Sequence, residues 1–362
     1  MSHAVLERPM AVHTNLLSES PSFGHLKVML TEIGLWQHGF GNIPNPVHGY
    51  SIDDEARGLI VGLCYWQLGT EPSFQKQLAS ICFRFLENAA LTKGKNAGHY
   101  HNFCDAKGRW LDPLGSDDSF GRTLWGLGVA AAINAPFAPR DRAEALLCRS
   151  LPWADTLTPL RSRAFVMLGL AESRLDYTRL RTYADALCAE FEANAGADWQ
   201  WFEDQLTYCN ARLPQALFAA AQVFPQEERY RRIGAQSLDF LLERTRTKTG
   251  GYAPVGNAPM QTDGWFKRGA ASPPLFDQQP VDAGALVECC ALAFRVTGDP
   301  RYREAAHRAF GWYLGDNILG LPVYDSITGG VGDGLTPRGV NLNQGAESVL
   351  SVHLAWQALR EL

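Results

Sequence analysis

The stretch GRTLWGLGVAAA at residues 121–132 is the clearest signal of the fold, because half of its residues are glycine or alanine and none after the second is charged. Small residues on several faces of a helix indicate that neighbouring helices pack against it from all sides. Similar stretches recur along the chain, at 56–68, 162–171, 211–221, 283–294 and 346–356. The sequence therefore predicts six buried helices.

Helices with one charged face alternate with the buried ones. In 73–90, apolar residues such as Leu78, Ile81 and Phe85 recur at three- and four-residue spacing, as in an amphipathic helix. Segments of this kind are also predicted at 23–37, 140–147, 176–194, 226–246 and 300–314. Six amphipathic helices alternating with six buried ones predict an all-α fold, an (α/α)6 toroid of six helical hairpins. Short β-hairpins are expected only in the long loops, around 100–111 and 250–278.

Length and composition predict one soluble domain over residues 1–362, with 1–20 as an extended N-terminal segment. The chain is 46% apolar, has a formal net charge of −5 and lacks Lys/Arg-rich runs, so neither nucleic acid nor a membrane surface is expected as a partner. No apolar stretch is long enough to span a membrane, and no signal peptide pattern occurs. The eight cysteines form no C-x-x-C pair, which predicts free thiols and a cytoplasmic location.

Neither a metal nor an organic cofactor is expected. His99 and His101 flank Tyr100, but closing ligands at metal-binding spacing are not evident. No phosphate-binding loop, dinucleotide fingerprint or nucleophile elbow occurs in a strand–turn–helix setting. Any chemistry is therefore expected to come from the protein's own side chains.

Acidic residues are doubled at the predicted starts of buried helices. Because the inner helices of such a barrel all begin at the same end, these starts meet at one mouth. A single acid there is normally a helix cap, since it accepts free backbone N–H groups and opposes the helix dipole. In a pair, one side chain can cap while the other points into the mouth. The pairs are Asp53 and Asp54, Asp117 and Asp118, and Glu203 and Asp204.

Aromatic and polar residues accompany these acids. Trp110 and Trp201 are predicted to stack against the apolar face of a sugar ring, although core packing is the equally open alternative. Carboxylates, amides and guanidinium groups would bind the hydroxyls. The side chains expected to do so are Asp53, Asp54, Asp282, Glu347, Arg122, Arg212, Asn210, Asn343, Gln344, Tyr208, His48 and His101.

Five long motifs resemble a bacterial family of (α/α)6-barrel domains that occur alone or fused to the C-terminus of polysaccharide-biosynthesis glycosyltransferases. The resemblance covers the chain from about residue 49 to the end, and this family is similar to six-hairpin glycoside hydrolases and, more distantly, to N-acylglucosamine 2-epimerase and mannose isomerase barrels. It implies a saccharide ligand and a possible glycosyltransferase partner. The family pattern would place a histidine where this chain has Phe120. The motifs are SIDDEARGL (51–59), RWLDPLGSDDSFGRTLWGLG (109–128), WQWFEDQLTYCNARLPQAL (199–217), VDAGALVECCALAFRVTGDPRY (281–302) and GVNLNQGAESVLSVHLA (339–355).

The first functional hypothesis is cleavage of a glycan by two carboxylates that flank the glycosidic bond. Asp118 is predicted as the acid, with Asp204 as the base and Glu203 as its alternative. Asp118 and Arg122 share a helix face at i, i+4 spacing, so an ion pair would lower the pKa of Asp118. In that case Asp117 becomes the better candidate for the acid.

Two alternatives stay open. A sugar isomerase or epimerase would need a base beside a carbonyl, for which His353 and His48 are candidates. A non-catalytic glycan-binding domain that serves a glycosyltransferase would need no acid–base pair. Either way, the expected ligand is a mono- or oligosaccharide.

Overall fold

The structure is a computed structural model that describes residues 19–257 and 264–362. Twelve α-helices lie within these ranges, and all but the first have at least 12 residues. They are α1 (Gly24–Met29), α2 (Ile52–Gln67), α3 (Pro72–Ala89), α4 (Asp117–Ile133), α5 (Arg140–Ala154), α6 (Leu160–Ser173), α7 (Tyr177–Asn194), α8 (Arg212–Val223), α9 (Glu228–Arg244), α10 (Pro280–Thr297), α11 (Pro300–Gly311) and α12 (Ala346–Leu359).

Short strands occupy the connections between helices. Each has two residues and pairs antiparallel with one other strand, as β1–β2, β3–β4, β5–β6 and β7–β8. The strands are β1 (Gly39–Phe40), β2 (Ile43–Pro44), β3 (Tyr50–Ser51), β4 (Phe103–Cys104), β5 (Gln205–Leu206), β6 (Phe266–Lys267), β7 (Leu335–Thr336) and β8 (Gly339–Val340). Two 3-10 helices, Pro46–His48 and Trp312–Leu314, complete the regular structure of the described ranges.

The even-numbered helices form a closed inner ring. Each of α2, α4, α6, α8, α10 and α12 packs against the next, and α12 packs against α2. Helices α3, α5, α7, α9 and α11 lie outside the ring against their hairpin partners. This arrangement confirms the predicted all-α (α/α)6 toroid.

Glycines allow the closest approach in the ring, between α4 and α6. A Cβ atom on Gly128 would lie 2.2 Å from the carbonyl oxygen of Gly169, and one on Gly169 would lie 2.4 Å from that of Leu124. These distances are shorter than any van der Waals contact, so the backbones touch directly. The glycine at residue 128 is thus explained by close packing, since a larger side chain would collide with the α6 backbone.

Serines, and not the paired acids, cap two of the inner helices. Ser51 accepts a hydrogen bond from the backbone N–H of Asp54 at α2. Ser116 does the same for the N–H of Ser119 at α4. The expectation that one acid of each pair serves as the cap is therefore wrong at these helices, and the carboxylates of Asp53, Asp54 and Asp118 make other contacts.

Three sequence predictions change in detail. The first outer helix was expected over 23–37 but is only six residues long, Gly24–Met29. The chain turns back after it because Thr31 Oγ1 accepts hydrogen bonds from the N–H groups of Ile33 and Gly34. The predicted hairpin at 100–111 is closed by a bridge between Cys104 and Trp110, but its strand β4 pairs with β3.

The other expected hairpin, in 250–278, contributes β6, which pairs with β5 from another loop. Residues 258–263 of that loop, and residues 1–18 of the expected N-terminal segment, lie outside the described ranges. No helix of the described residues is both long and apolar enough to cross a membrane.

We expect Gly169→Ala to destabilise the protein although alanine is the better helix former by about 1 kcal/mol. The added methyl group would collide with the α4 backbone, and overpacking of this kind costs about 1–3 kcal/mol. Thermal unfolding would show a lower midpoint. Gln77→Ala on the exposed face of α3 is the matched control, and an unchanged midpoint in Gly169→Ala would contradict the close contact.

Candidate active site

A polar cavity of about 290 Å³ opens at the mouth of the barrel, where α12 meets α2. We call it the mouth cavity. Its size lies near the lower end of the range for small-molecule sites, roughly 300–1,000 Å³. It is lined by Gln37, His38, Ser51, Asp53, Asp54, Arg57, Phe103, Gln279, Pro280, Asp333, Gly345, Glu347 and Ser348.

One guanidinium joins two carboxylates of the cavity. Arg57 is buried on the second turn of α2, and its Nη1 lies 3.4 Å from Asp54 Oδ1. Its Nη2 donates a hydrogen bond to Glu347 Oε2 on the first turn of α12. Asp54 also accepts a hydrogen bond from Ser51 Oγ at 2.8 Å. The Arg57 guanidinium thus lies between the two carboxylates, at the seam where α12 closes the ring against α2.

A second buried arginine lies beside this pair. Arg122 Nε donates to Asp118 Oδ2 at 2.8 Å and lies 3.9 Å from Asp53 Oδ1. The other oxygen of Asp118 accepts a hydrogen bond from Tyr208 Oη at 2.9 Å. The guanidinium also stacks 4.2 Å over the Phe165 ring. Asp118 is therefore fully engaged, whereas Asp53 Oδ1 is buried without a hydrogen-bond partner.

A third cluster belongs to the loop that precedes α8. Arg161 on α6 bonds Glu203 Oε2 at 2.7 Å and Asn210 Oδ1 at 3.0 Å. Asp282 on α10 accepts the backbone N–H of Cys209 at 2.6 Å. Cys209 has a left-handed φ of 47°, which is uncommon for a residue with a side chain. The contacts on both sides of this loop hold it in that conformation.

A buried ion pair links the inner helices α8 and α10. Arg212 donates two hydrogen bonds to Glu288, at 2.7 and 3.0 Å, and one to Gln215 at 2.6 Å. Glu288 and Gln215 in turn form part of the lining of a separate cavity of about 460 Å³ at the opposite end of the inner helices. The mouth cavity and this axial cavity are lined by different residues of the described chain.

Burial and charge give the mouth carboxyls different proton affinities. Burial raises the pKa of Asp54 to about 7 and that of Asp282 to about 7, against the opposing effects of Arg57 on Asp54 and of the Cys209 N–H on Asp282. Burial also raises the pKa of Asp53. Burial acts the same way on Asp118, but the charge of Arg122 and its hydrogen bonds outweigh it and lower the pKa of Asp118.

These values bear on the predicted acid. The Arg122 ion pair expected from i, i+4 spacing is present, so Asp118 holds a proton poorly and is a weak candidate for a general acid. Asp117, its alternative, is exposed at the start of α4 and does not line the mouth cavity. Asp54 combines a raised pKa with a place in the cavity.

The predicted base lies elsewhere. The Asp204 side chain is 81% exposed and is 3.6 Å from Arg268, next to the strand pair β5–β6. Glu203 is bonded to Arg161 and is near the third cluster, but it does not line the mouth cavity. Neither carboxylate is paired with Asp118 in the structure.

Trp201 is contradicted as a stacking platform, because its side chain is fully buried against Phe202 and Phe240. Trp110 is partly buried and stacks on His101 with ring centroids 5.0 Å apart. Neither tryptophan lines the mouth cavity. Packing against the outer layer accounts for both.

The remaining predicted binding residues mostly support others. Asn210, Arg212 and Tyr208 bond Arg161, Glu288 and Asp118, as described above. Gln344 packs against Gly330, and His101 Nδ1 is bonded to the carbonyl of Asp112. His48 is exposed and meets the edge of the His38 ring, with centroids 4.7 Å apart. Asn343 holds the cavity residues His38 and Asp333.

Of the residues that line the cavity, only Asp53, Asp54 and Glu347 were predicted from sequence as site residues. Those missed include His38, Arg57, Phe103 and Asp333. Arg57 was the one with a usable signal, since it lies one turn after Asp53 and Asp54 on a buried helix. The other three come from loops and short strands whose course depends on distant pairing. Phe103 is a half-exposed aromatic ring at the cavity edge.

Within the described ranges, no group of three or more His, Cys, Asp or Glu side chains is arranged to hold a metal ion. Phe120, at the position where the resembling family would have histidine, is buried and stacks on His99 with centroids 4.7 Å apart. It therefore belongs to the packing behind the mouth.

No protein-family model and no curated protein matches the sequence. Solved structures match over nearly the whole chain. D-mannose isomerase superposes with a TM-score of 0.72 at 12% identity, covering 99% of this chain and 100% of its own. Cellobiose 2-epimerase from Spirochaeta thermophila gives 0.73 at 12% identity, with 97% and 96% covered. A GH76 α-1,6-mannanase from Salegentibacter gives 0.60 at 12% identity, with 97% and 98% covered.

The fold is thus that of (α/α)6-barrel proteins, and the predicted likeness to six-hairpin glycoside hydrolases and to isomerase and epimerase barrels is confirmed at the level of fold. Sequence identities near 12% carry no further conclusion, since one fold hosts many functions. Fusion to a glycosyltransferase stays a prediction.

We expect Arg212→Met to destabilise the protein strongly, by about 3–5 kcal/mol, because it leaves Glu288 buried without its partner. The double variant Arg212→Met/Glu288→Leu should recover most of that loss, since apolar side chains of similar volume replace both charges. Thermal and denaturant unfolding would measure both. The exposed pair Arg231–Glu228 is the control, where Arg231→Met should change stability by about 0–1 kcal/mol. A double variant as unstable as the single one would contradict this expectation.

The raised pKa of Asp282 predicts a pH dependence of stability. The folded protein keeps this proton up to about pH 7, whereas the unfolded chain releases it near the ordinary value of 3.8. Stability should therefore fall as pH rises between these values. Asp282→Asn, which retains an acceptor for the Cys209 N–H, should show a smaller fall and a higher unfolding midpoint at pH 8 than the wild type. Asp198→Asn, an exposed site, should behave as wild type, and an unchanged slope in Asp282→Asn would contradict the assignment.

Proposed function

We propose that this protein is a carbohydrate-active enzyme that cleaves a glycosidic bond by general acid–base catalysis in the mouth cavity. The observation that carries the proposal is the pair Asp54 and Glu347, which Arg57 holds across one polar cavity. Two carboxyl groups with different environments are what glycoside hydrolysis requires. The fold shared with a mannanase supports this choice.

Asp54 is the proposed acid. With a pKa of about 7, it retains its proton near neutral pH and can transfer it to the departing glycosidic oxygen, because catalytic acids work best near the operating pH. Glu347 is the proposed base or nucleophile, since 41% of its side chain is exposed toward the opening. Asp53, with its unpartnered Oδ1, is proposed to bind a sugar hydroxyl.

The shape of the site favours a single terminal sugar residue. The mouth cavity is small, with a volume of about 290 Å³, and it is lined by residues different from those of the cavity at the opposite end of the inner helices. Phe103 offers a half-exposed ring at the edge, in the role that Trp110 and Trp201 were predicted to fill. Apolar C–H faces of pyranoses pack well on such rings. We infer removal of one sugar from the end of a glycan.

Asp54→Asn and Glu347→Gln should each lower kcat by about 10²–10⁴-fold, the usual contribution of a positioned acid or base. Asp204→Asn should keep its activity, because this side chain lies in solvent at the outer rim. Release of monosaccharide from mannose- and glucose-containing oligosaccharides would be measured. Full activity in Asp54→Asn would exclude the assignment, and wild-type kcat/KM should decline above about pH 7 as Asp54 loses its proton.

Sugar isomerisation or epimerisation is the second candidate, because His38 lines the same cavity and the isomerase and epimerase structures match the whole chain. Of the two bases named from sequence, His353 is fully buried beside Phe23 and Tyr65, and burial lowers its pKa to about 3. The other, His48, is exposed and does not line the mouth cavity. Conversion of free D-mannose without bond cleavage would favour this candidate.

Thermal unfolding with added saccharide, combined with the turnover assay above, distinguishes a non-catalytic glycan-binding domain from an enzyme. A saccharide at about 100 times its dissociation constant stabilises a folded protein by about 2.7 kcal/mol. A rise in the unfolding midpoint without turnover, unchanged by Asp54→Asn and Glu347→Gln, would replace the enzyme proposal by a binding role.

A further inference from the structure

Asn343 has only one possible amide orientation. Its Oδ1 lies 3.0 Å from the backbone N of Gly39, which can only donate a hydrogen bond. Its Nδ2 contacts a carboxylate oxygen of Asp333, which accepts. Gly345 and Ser348 donate to the other oxygen of Asp333, at 2.9 and 2.6 Å, so that carboxylate is fixed as well. The NH2 group of Asn343 therefore faces Asp333 and whatever lies beside it.

What lies beside it is His38. Its Nδ1 is 2.8 Å from Asn343 Nδ2. Because Asn343 donates from that atom, Nδ1 must accept, and a neutral imidazole that accepts at Nδ1 carries its proton on Nε2. Protonation of Nδ1 would bring two N–H groups into opposition. The contact therefore specifies both the tautomer and the charge of the ring.

The charged groups around His38 do not reverse its neutral, Nε2-protonated state. Burial lowers the pKa of His38, while the carboxylates of Asp333 and Glu347 oppose that effect and His48 reinforces it. Asp333 Oδ2 is 4.0 Å from Nδ1, beyond hydrogen-bond distance. Nothing in the described ranges bonds Nε2, and 40% of the side chain is exposed at the mouth cavity. The free N–H is thus available to a ligand.

We propose that Asn343 locks His38 as an uncharged imidazole whose Nε2–H is a hydrogen-bond donor for an oxygen atom of the saccharide in the mouth cavity. The ligand part of this inference rests on the proposed function. A neutral N–H donor suits a hydroxyl or carbonyl oxygen, and its strength stays constant across neutral pH. Asn343 is then a positioning residue, and not the direct sugar ligand that the sequence suggested.

Histidine ring NMR on the whole protein tests the locked state without any sugar. In a ¹⁵N-labelled sample, the His38 ring signals are assigned by their loss in His38→Gln. They should show the Nε2–H tautomer and a titration midpoint below the ordinary value of 6.5. Asn343→Asp, which replaces the donor by an acceptor, should shift the ring toward Nδ1–H and raise its pKa. An Nδ1–H tautomer in the wild type, or a titration midpoint at or above 6.5, would overturn the inference.

D-mannose serves as the probe for the donor. If it raises the unfolding midpoint, it should also shift the His38 Nε2–H resonance, and His38→Phe should bind it about 3- to 10-fold more weakly, the effect of one neutral hydrogen bond. His38→Gln, which keeps an N–H donor, should bind more tightly than His38→Phe. Stabilisation by mannose with an unmoved resonance would overturn the donor role. If mannose changes neither the unfolding midpoint nor the His38 resonance, it is not a ligand, and this counts against the proposed function. The tautomer of His38 measured without sugar then still tests whether Asn343 locks the ring.

Discussion

The buried guanidinium groups of four arginines constrain the centre of this barrel more than any other feature. Arg57, Arg122, Arg161 and Arg212 are each no more than 6% exposed, and each is bonded to a carboxylate. Six inner helices of small residues can approach their neighbours closely, yet a ring of six encloses space between them. Charged side chains fill it only if every one is paired, because an unpaired buried charge is very unfavourable. Three of the pairs link separate elements: α2 with α12, α6 with the loop before α8, and α8 with α10. The fourth, Arg122 with Asp118, lies within α4, and the same guanidinium is 3.9 Å from Asp53 on α2.

The same pairing decides which carboxyls remain available for chemistry. Asp118 receives hydrogen bonds from Arg122 and Tyr208, and these outweigh its burial. Asp54 has a long guanidinium contact of 3.4 Å and a hydrogen bond from the Ser51 hydroxyl, and Asp282 has a single backbone N–H donor. Burial then dominates for the latter two and raises their pKa. The pKa of each mouth carboxyl thus depends on how closely an arginine approaches it. A site with more acids than arginines necessarily leaves some carboxyls with raised pKa values.

The fold was predictable because its determinants are local. Small residues at 121–132 and the charged faces between such stretches identify each helix and its layer, and alternation then leaves few arrangements. The end of the barrel where the mouth cavity lies was predictable too, since acids mark the helix starts, and the Arg122–Asp118 pair followed from spacing along one helix. The environment of individual side chains was not predictable from sequence. Trp201 is buried by residues distant in sequence, and His38 and Asp333 meet only because loops from opposite ends of the chain pack together.

The mouth cavity forms only where the last inner helix, α12, closes the ring against the first, α2. Arg57 and Glu347 are 290 residues apart in sequence, and they meet only where α12 packs against α2. His38 is fixed by Asn343 over a similar separation of 305 residues. A chain without its first or its last hairpin therefore lacks the Arg57–Glu347 pair and the contact between His38 and Asn343. The candidate site therefore depends on closure of the toroid, because its side chains come from the two helices that close the ring and from the loops before them.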